Sequence, residues 1–177
     1  MRTDQRIKDA LIAVMKDKSF DKVIVANICE VAGISRPTFY AHFSDKFDVV
    51  NRIFDDLFDR TVLNYRESHT WDGTISLFLE ELQNERTFYI NAYSYRGQNC
   101  LFEHHTNRVY SFYFDMIEGI KNAYMSEAEL VSLRIYVNGA MTLIDQWISS
   151  GFTTSIQELE HYFKSSMPEN IKQYLVF

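Results

Sequence analysis

Two groups of side chains in this sequence have the types and spacing to do chemistry. The first is Ser35-Arg36-Pro37-Thr38-Phe39-Tyr40-Ala41-His42, followed closely by Lys46. Arg36 carries a planar fork that can bond bidentately to guanine O6 and N7, and Thr38 offers a hydroxyl or a methyl to a base edge. Tyr40, His42 and Lys46 suit phosphate oxygens. The second group is Cys100, Glu103 and His104. Their spacing of three and four puts them on one helical face, and His69 or His161 would complete a tetrahedral zinc site. No closed four-ligand spacing is visible, however. A packed cysteine beside surface polar residues accounts for the group, so no metal and no other cofactor is expected. Catalysis has no candidate: Glu80 and Glu81 read as a solvated helix face, and neither G-x-S-x-G nor H-E-x-x-H occurs.

The elements that must position the first group are legible around it. Val25, Ile28, Val31 and Ala32 form a short helical face, and Gly33 stops it because glycine tolerates positive φ. Ser35 reads as the N-cap of a second helix, with Pro37 in the first turn, where a missing N–H costs nothing. Helix, short glycine turn and helix make a helix-turn-helix. Ile28, Val31, Ala32, Ile34 and Phe39 are its expected core, with small Cys29 at the closest approach. The second helix ends near His42-Phe43 and gathers its polar residues at its N-terminal half and exposed face, as a recognition helix does in a major groove. Ahead of this unit, Ile7, Leu11, Val14 and Met15 make one helical stripe, opened by Thr3 or Asp4 and ended at Lys18-Ser19, with Phe20 as an apolar plug. Behind it, Ser44 or Asp45 caps a long fourth helix with Phe47, Val50, Ile53 or Phe54, Leu57 and Phe58 inward, running to about Tyr65.

Composition bounds the rest. A chain of 177 residues is one domain, or a small module fused to a larger one. Six glycines and two prolines are too few for the turns of a sandwich or barrel, and no glycine-rich phosphate loop occurs. The expected class is all-α. No apolar run is long enough for a membrane span, and the N-terminus lacks the pattern of a signal peptide. Cys29 and Cys100 lie far apart without a C-x-x-C pair, so a cytoplasmic location is expected. Charge is uneven: the first fifty residues hold eight Lys/Arg against seven Asp/Glu, the remainder ten against seventeen. A pI near 5.3 opposes indiscriminate polyanion binding but allows a small DNA-reading head on an acidic body.

After residue 66 further helices are expected. Thr70-Trp71-Asp72-Gly73 marks a break. Ile75, Phe78, Leu79 and Leu82 form the next face, Phe88 to Tyr95 a short aromatic helix, and Cys100 to Tyr124 a longer one. Ser126-Glu127 opens another, closed by Gly151, and the last begins near Ser155 and restarts at Pro168. Of the 27 aromatic residues 22 lie after residue 50, so a ring-lined effector pocket is expected there. Phe88, Tyr89, Tyr93, Phe102, Tyr110 and Phe114 are its candidate lining. Val137, Met141, Ile144 and Ile148 are candidates for a two-fold dimer seam, where Gly139 and Ala140 would let backbones come near.

The stretch from Ile28 through Ala32-Gly33-Ile34-Ser35, Thr38-Phe39-Tyr40-Ala41-His42-Phe43 and Asp45-Lys46-Phe47-Asp48 resembles the DNA-binding head of the TetR (tetracycline repressor-like) family of bacterial transcription regulators. The resemblance covers about residues 3–50. It implies a three-helix head with a helix-turn-helix (residues 1–50), joined by the fourth helix to a C-terminal helical effector and dimerisation domain (residues 51–177). It also implies DNA contacts at Asn27, Ser35, Arg36, Pro37, Thr38, Tyr40, His42 and Lys46. The expected function is a homodimeric regulator of palindromic double-stranded operators. Repression relieved by a small-molecule effector, of unknown identity, is the default. Asn138-Gly139-Ala140 and Asp145 to Gly151 resemble the penultimate helix of the branch that includes regulators of dihydroxyacetone kinase operons. That likeness keeps activation through a protein co-activator as an alternative, beside metal sensing.

Overall fold

The computed structural model describes residues 2–63 and 70–175. Helix α1 (Thr3–Met15) buries Ile7, Leu11 and Met15, leaving Val14 half-buried. Its N-cap position is Arg2, ahead of both Thr3 and Asp4, the expected caps. A single 3-10 turn (Phe20–Lys22) then drives Phe20 into the interior. Helices α2 (Val25–Ala32) and α3 (Arg36–Tyr40) are joined by Gly33 at φ +62°, the left-handed conformation a side chain would strain. Ile28, Cys29, Ala32 and Phe39 are buried between them. Val31 is not part of this core: it is 56% exposed, because α1 covers the other side of so short a helix.

Helix α4 (Lys46–Phe58) is capped by Asp45, whose carboxylate accepts the Asp48 N–H at 2.8 Å. Phe54, rather than Ile53, is fully buried. The helix passes into a π-helical turn (Asp59–Leu63), in which the Thr61 hydroxyl donates to the Leu57 carbonyl at 2.7 Å. The expected end at Tyr65 and the candidate ligand His69 lie outside the described residues.

The body follows as α5 (Trp71–Asn84), α6 (Arg86–Ser94), α7 (Leu101–Lys121), α8 (Glu127–Ser149), α9 (Ile156–Ser166) and α10 (Glu169–Lys172). Thr70 caps α5 with its hydroxyl, so Trp71 opens a helix where a break was expected. Ser126 with Glu129 and Ser155 with Glu158 form the capping boxes that start α8 and α9. Glu129 also binds Lys121 Nζ at 2.7 Å and the Tyr174 hydroxyl at 2.8 Å, tying α7, α8 and the C-terminal segment together. The Lys121 ammonium, then the Ser126 donors, hold its carboxyl down to about 2. The body packs α8 along α7 and α6, and α9 against α5. Val137, Met141, Ile144 and Ile148 are at most 4% exposed within a single chain. They form the inner face of α8, already covered within one chain rather than presented to a partner. The outward stripe of α8 is Val131, Ile135, Asn138, Gly139 and Thr142, with Ile135 69% exposed. Among the described residues, no helix is long and apolar enough to cross a membrane.

Candidate nucleic-acid interface

The short helix α3 is shaped by its first three residues. The Ser35 hydroxyl accepts the Thr38 N–H at 3.2 Å and shares a 2.8 Å hydrogen bond with the Thr38 hydroxyl. Pro37, in the first turn, has no N–H to leave unsatisfied. Phe39 anchors the helix in the core, and the Tyr40 ring meets it edge-on at 5.4 Å. Ser35, Arg36, Pro37, Tyr40 and His42 are therefore exposed, with Thr38 half-buried beside them. Among the described residues, Arg36 makes no hydrogen bond or ion pair within the chain. One helical turn thus presents a free guanidinium, hydroxyls, a phenol and an imidazole to solvent.

Two of the expected contact residues are engaged inside the head. Lys46 Nζ donates to the carbonyls of Phe20, Asp21 and Val23 at 2.7, 3.0 and 2.8 Å, and lies 4.7 Å from the centre of the Phe20 ring. Its three donors are all taken, which leaves none for a phosphate. Burial pushes this ammonium below the ordinary lysine range, against the opposing pull of Asp21 and Asp45. Lys46 is a clamp on the 3-10 turn. Asn27 Oδ1 accepts the Ile24 N–H at 3.2 Å and Lys18 Nζ at 2.9 Å, closing the start of α2. Arg6 was not singled out by spacing, yet its guanidinium donates to the Ala32 carbonyl at the end of α2 and so fixes the turn before α3.

Side-chain hydrogen bonds from α6 and α7 are among the ties between the head and the body. Asn91, on α6, donates to the carbonyls of Met15 and Lys18 and accepts the Phe20 N–H, each at 2.8 Å. On the opposite flank, Asp55 of α4 meets His104 Nε2 at 2.8 Å, and Asp59 meets Arg108 at 2.6 Å, both partners coming from α7. Nothing in the local sequence marks Asn91, because a lone polar residue in an aromatic helix has no periodic signature.

Among the described residues, the six expected pocket aromatics do not line one cavity together. Phe88 and Tyr89 face a groove between α1, α4 and α6, Tyr93 is buried against His105, and Tyr110 and Phe114 stack on each other, half-buried along α7. Phe102 sits under the Arg96 guanidinium. An apolar cavity of about 50 Å³ lies elsewhere, between α5, α7, α8 and α9, walled by Trp71, Phe78, His105, Tyr113, Tyr136 and Met141 among others. Val137 and Ile144, expected at a dimer seam, also line it. Cys100, Glu103 and His104 do face one cleft, with Asp45, Asp48 and Asn51. Among the described residues, though, no three His, Cys, Asp or Glu side chains converge as metal ligands, and His104 is bonded to Asp55.

Comparison with known proteins agrees with this geometry. Residues 7–53 match the family model described as bacterial regulatory proteins, tetR family, and residues 69–169 match the TetR model described as transcriptional regulator C-terminal region. The chain is 30% identical over 54 residues to the uncharacterized HTH-type transcriptional regulator YxbF of Bacillus subtilis (strain 168), covering 30% of this chain and 14% of the relative. It is 25% identical over 87 residues to the HTH-type dhaKLM operon transcriptional activator DhaS of Lactococcus lactis subsp. lactis (strain IL1403), covering 49% and 46%. The matched stretches thus span less than half the length of either relative. Among solved structures, the dihydroxyacetone kinase operon activator DhaS superposes with a TM-score of 0.64 at 18% identity over 98% of both chains. A TetR transcriptional regulator from Streptococcus agalactiae 2603V gives 0.67 at 15% identity, over 91% of this chain and 90% of that one. The fatty acid degradation regulator FadR from Bacillus halodurans gives 0.59 at 16% identity, over 92% and 93%. These likenesses share the fold. With both halves of the chain matched by its models, the chain belongs to the TetR family of bacterial transcriptional regulators.

Proposed function

We propose that this chain acts in the cytoplasm as a homodimer on a palindromic operator, reading base edges with α3, and that an effector in the body controls its affinity for DNA. The observation that carries this is the outward first turn of α3, where Arg36 is exposed and unengaged while Phe39 is locked beneath it. Ser35, Arg36, Pro37, Thr38, Tyr40 and His42 form the contact set. Lys46 and Asn27 support it from inside. The functional division falls near residue 50, with α4 shared by both parts.

One recognition helix gives too little contact for tight, selective binding, so two are needed, about 34–36 Å apart. The outward stripe of α8, Val131 to Thr142, is the face on which a second copy would pack. Gly139 faces open space, since a Cβ at this position would meet nothing within 4 Å, and its lack of a side chain would let a partner backbone come near. An effector shifts the heads only by binding one spacing better than the other. Asn91 on α6 and the His104 and Arg108 pairs from α7 are the links through which the body would move α1 and α4. Relief of repression is the default. Activation is the second reading, favoured by the match to an operon activator over nearly half of this chain.

Selection of duplexes from a random library should yield inverted half-sites one helical turn apart. Arg36→Ala should weaken the selected complex by about 1–3 kcal/mol and relax preference at one base position. A chain that prefers no duplex over random DNA, or an Arg36→Ala variant that binds as before, contradicts the reading.

A further inference from the structure

His105 is 0% exposed in the middle of the body, on α7. Its Nδ1 is bonded to the Tyr93 hydroxyl, whereas its Nε2 has no hydrogen-bond partner. Tyr93 is not on the wall of the apolar cavity and His105 is, and Nε2 is the polar atom of this wall residue left without a partner. The other two unpartnered buried polar atoms among the described residues, Asn51 Oδ1 and Thr74 Oγ1, belong to residues that do not line it. Elsewhere on the wall, the Trp71 N–H is donated to Tyr113 and the Tyr136 hydroxyl to the Phe163 carbonyl.

The hydrogen-bond network assigns the tautomer. Burial keeps the Tyr93 phenol protonated, and its hydrogen needs an acceptor. Nδ1 is the acceptor at hand, so the ring hydrogen sits on Nε2. Burial, with a smaller push from His104, also keeps the ring neutral. Among the described residues, the cavity therefore has apolar walls and one unmet donor, on His105. Water suits it poorly, because a buried water wants two to four polar partners. A charged ligand suits it worse, since among the described residues no counter-charge lines the wall. At about 10–15 Å³ per water-sized site, about 50 Å³ has room for a molecule of a few heavy atoms.

We propose that this cavity binds a small, uncharged, mainly apolar molecule bearing one hydrogen-bond acceptor, such as a ketone or ester carbonyl, anchored on His105 Nε2–H. The same ring packs against Phe54 of α4 with centroids 4.1 Å apart, and the adjacent His104 grips Asp55. A ligand that reorients His105 therefore presses directly on the helix that carries the head. The proposal rests on the reading of the body as effector-binding, and its test uses no DNA, so its failure would leave the operator reading standing or falling on the duplex selection alone.

The full chain, labelled with ¹⁵N-histidine, is titrated with cyclopentanone and with methylenecyclopentane, which has the same shape but lacks the acceptor. The free protein should show His105 as the Nε2–H tautomer. Cyclopentanone should shift the Nε2 resonance and bind roughly tenfold or more tightly than the hydrocarbon. His105→Phe, which keeps a ring and removes the donor, should erase that preference. If the variant does not fold, the tautomer and the two-ligand comparison in the unaltered chain still decide. An Nδ1–H tautomer, equal affinity for the two compounds, or no binding of either overturns the proposal.

Discussion

In the head, α3 turns Ser35, Arg36, Tyr40 and His42 to solvent and buries only Phe39, whereas in the body an unengaged polar atom of a cavity-wall residue, His105 Nε2, is wholly buried. The first surface has to meet a large, charged, hydrated partner, so its residues must be polar and outward. The second has to exclude water, so it is built from the same Trp, Phe, Met and Ile side chains as any core. The two regions touch through α4, whose Asp55 and Phe54 meet adjacent residues of α7. A signal that begins in a dry cavity thus has a short path of packed side chains to the wet face.

The sharpest way to test the division concerns α8, whose two faces are assigned opposite duties. Ile135→Asp, on the outward stripe, should weaken a dimer by roughly a hundredfold or more and leave a folded monomer, read by sedimentation velocity. Met141→Ala, on the inward face, should leave the dimer intact and lower stability by about 2–5 kcal/mol, read by denaturant unfolding. The reverse pattern would return the seam to Val137, Met141, Ile144 and Ile148.

A smaller effect separates support from contact in the head. Lys46→Met removes donors from three carbonyls, so unfolding should become easier by about 1.5–3 kcal/mol. The salt dependence of DNA binding by the folded variant should keep its slope. A lysine that touched phosphate would instead flatten that slope by roughly one unit with little change in stability.

These two cases also mark how far the sequence could be read. The helices, Gly33 as a turn, Ser35 and Asp45 as caps, and the exposed polar face of α3 follow from local chemistry, and the structure has them. Lys46 could not be assigned, because a basic residue after a recognition helix looks the same whether it meets phosphate or a carbonyl cluster brought there from 25 residues upstream. Val137 and Met141 were ambiguous because spacing shows that α8 has an apolar face but not what covers it. Asn91 and His105 carry no local mark: their roles arise from partners 76 and 12 residues away.

The smallest expected effect is on pH. The His105 ring stays neutral in the fold, while an unfolded imidazole titrates near 6.5. Below that pH the unfolded chain takes up a proton that the folded chain refuses. The His105 contribution is therefore complete above 6.5 and declines as pH falls, by at most about 1.4 kcal/mol per unit for one group. Glu129 acts lower, its contribution present above 4.5 and lost between 4.5 and about 2. Calorimetric midpoints should fall between pH 7 and 5.5 in the unaltered chain and fall less in His105→Phe. Glu129→Gln should leave that interval unchanged. An unaltered pH slope in His105→Phe would mean that the ring takes up its proton as readily in the fold as in the unfolded chain.

The claim on which the account turns is that a pair of α3 helices reads a duplex one helical turn at a time. Sedimentation equilibrium of the chain with its selected duplex, combined with hydroxyl-radical footprinting, measures this directly. Two chains per duplex, with protected half-sites centred about 10 base pairs apart, is the predicted result. A single chain per duplex, or protection without two-fold symmetry, would contradict it.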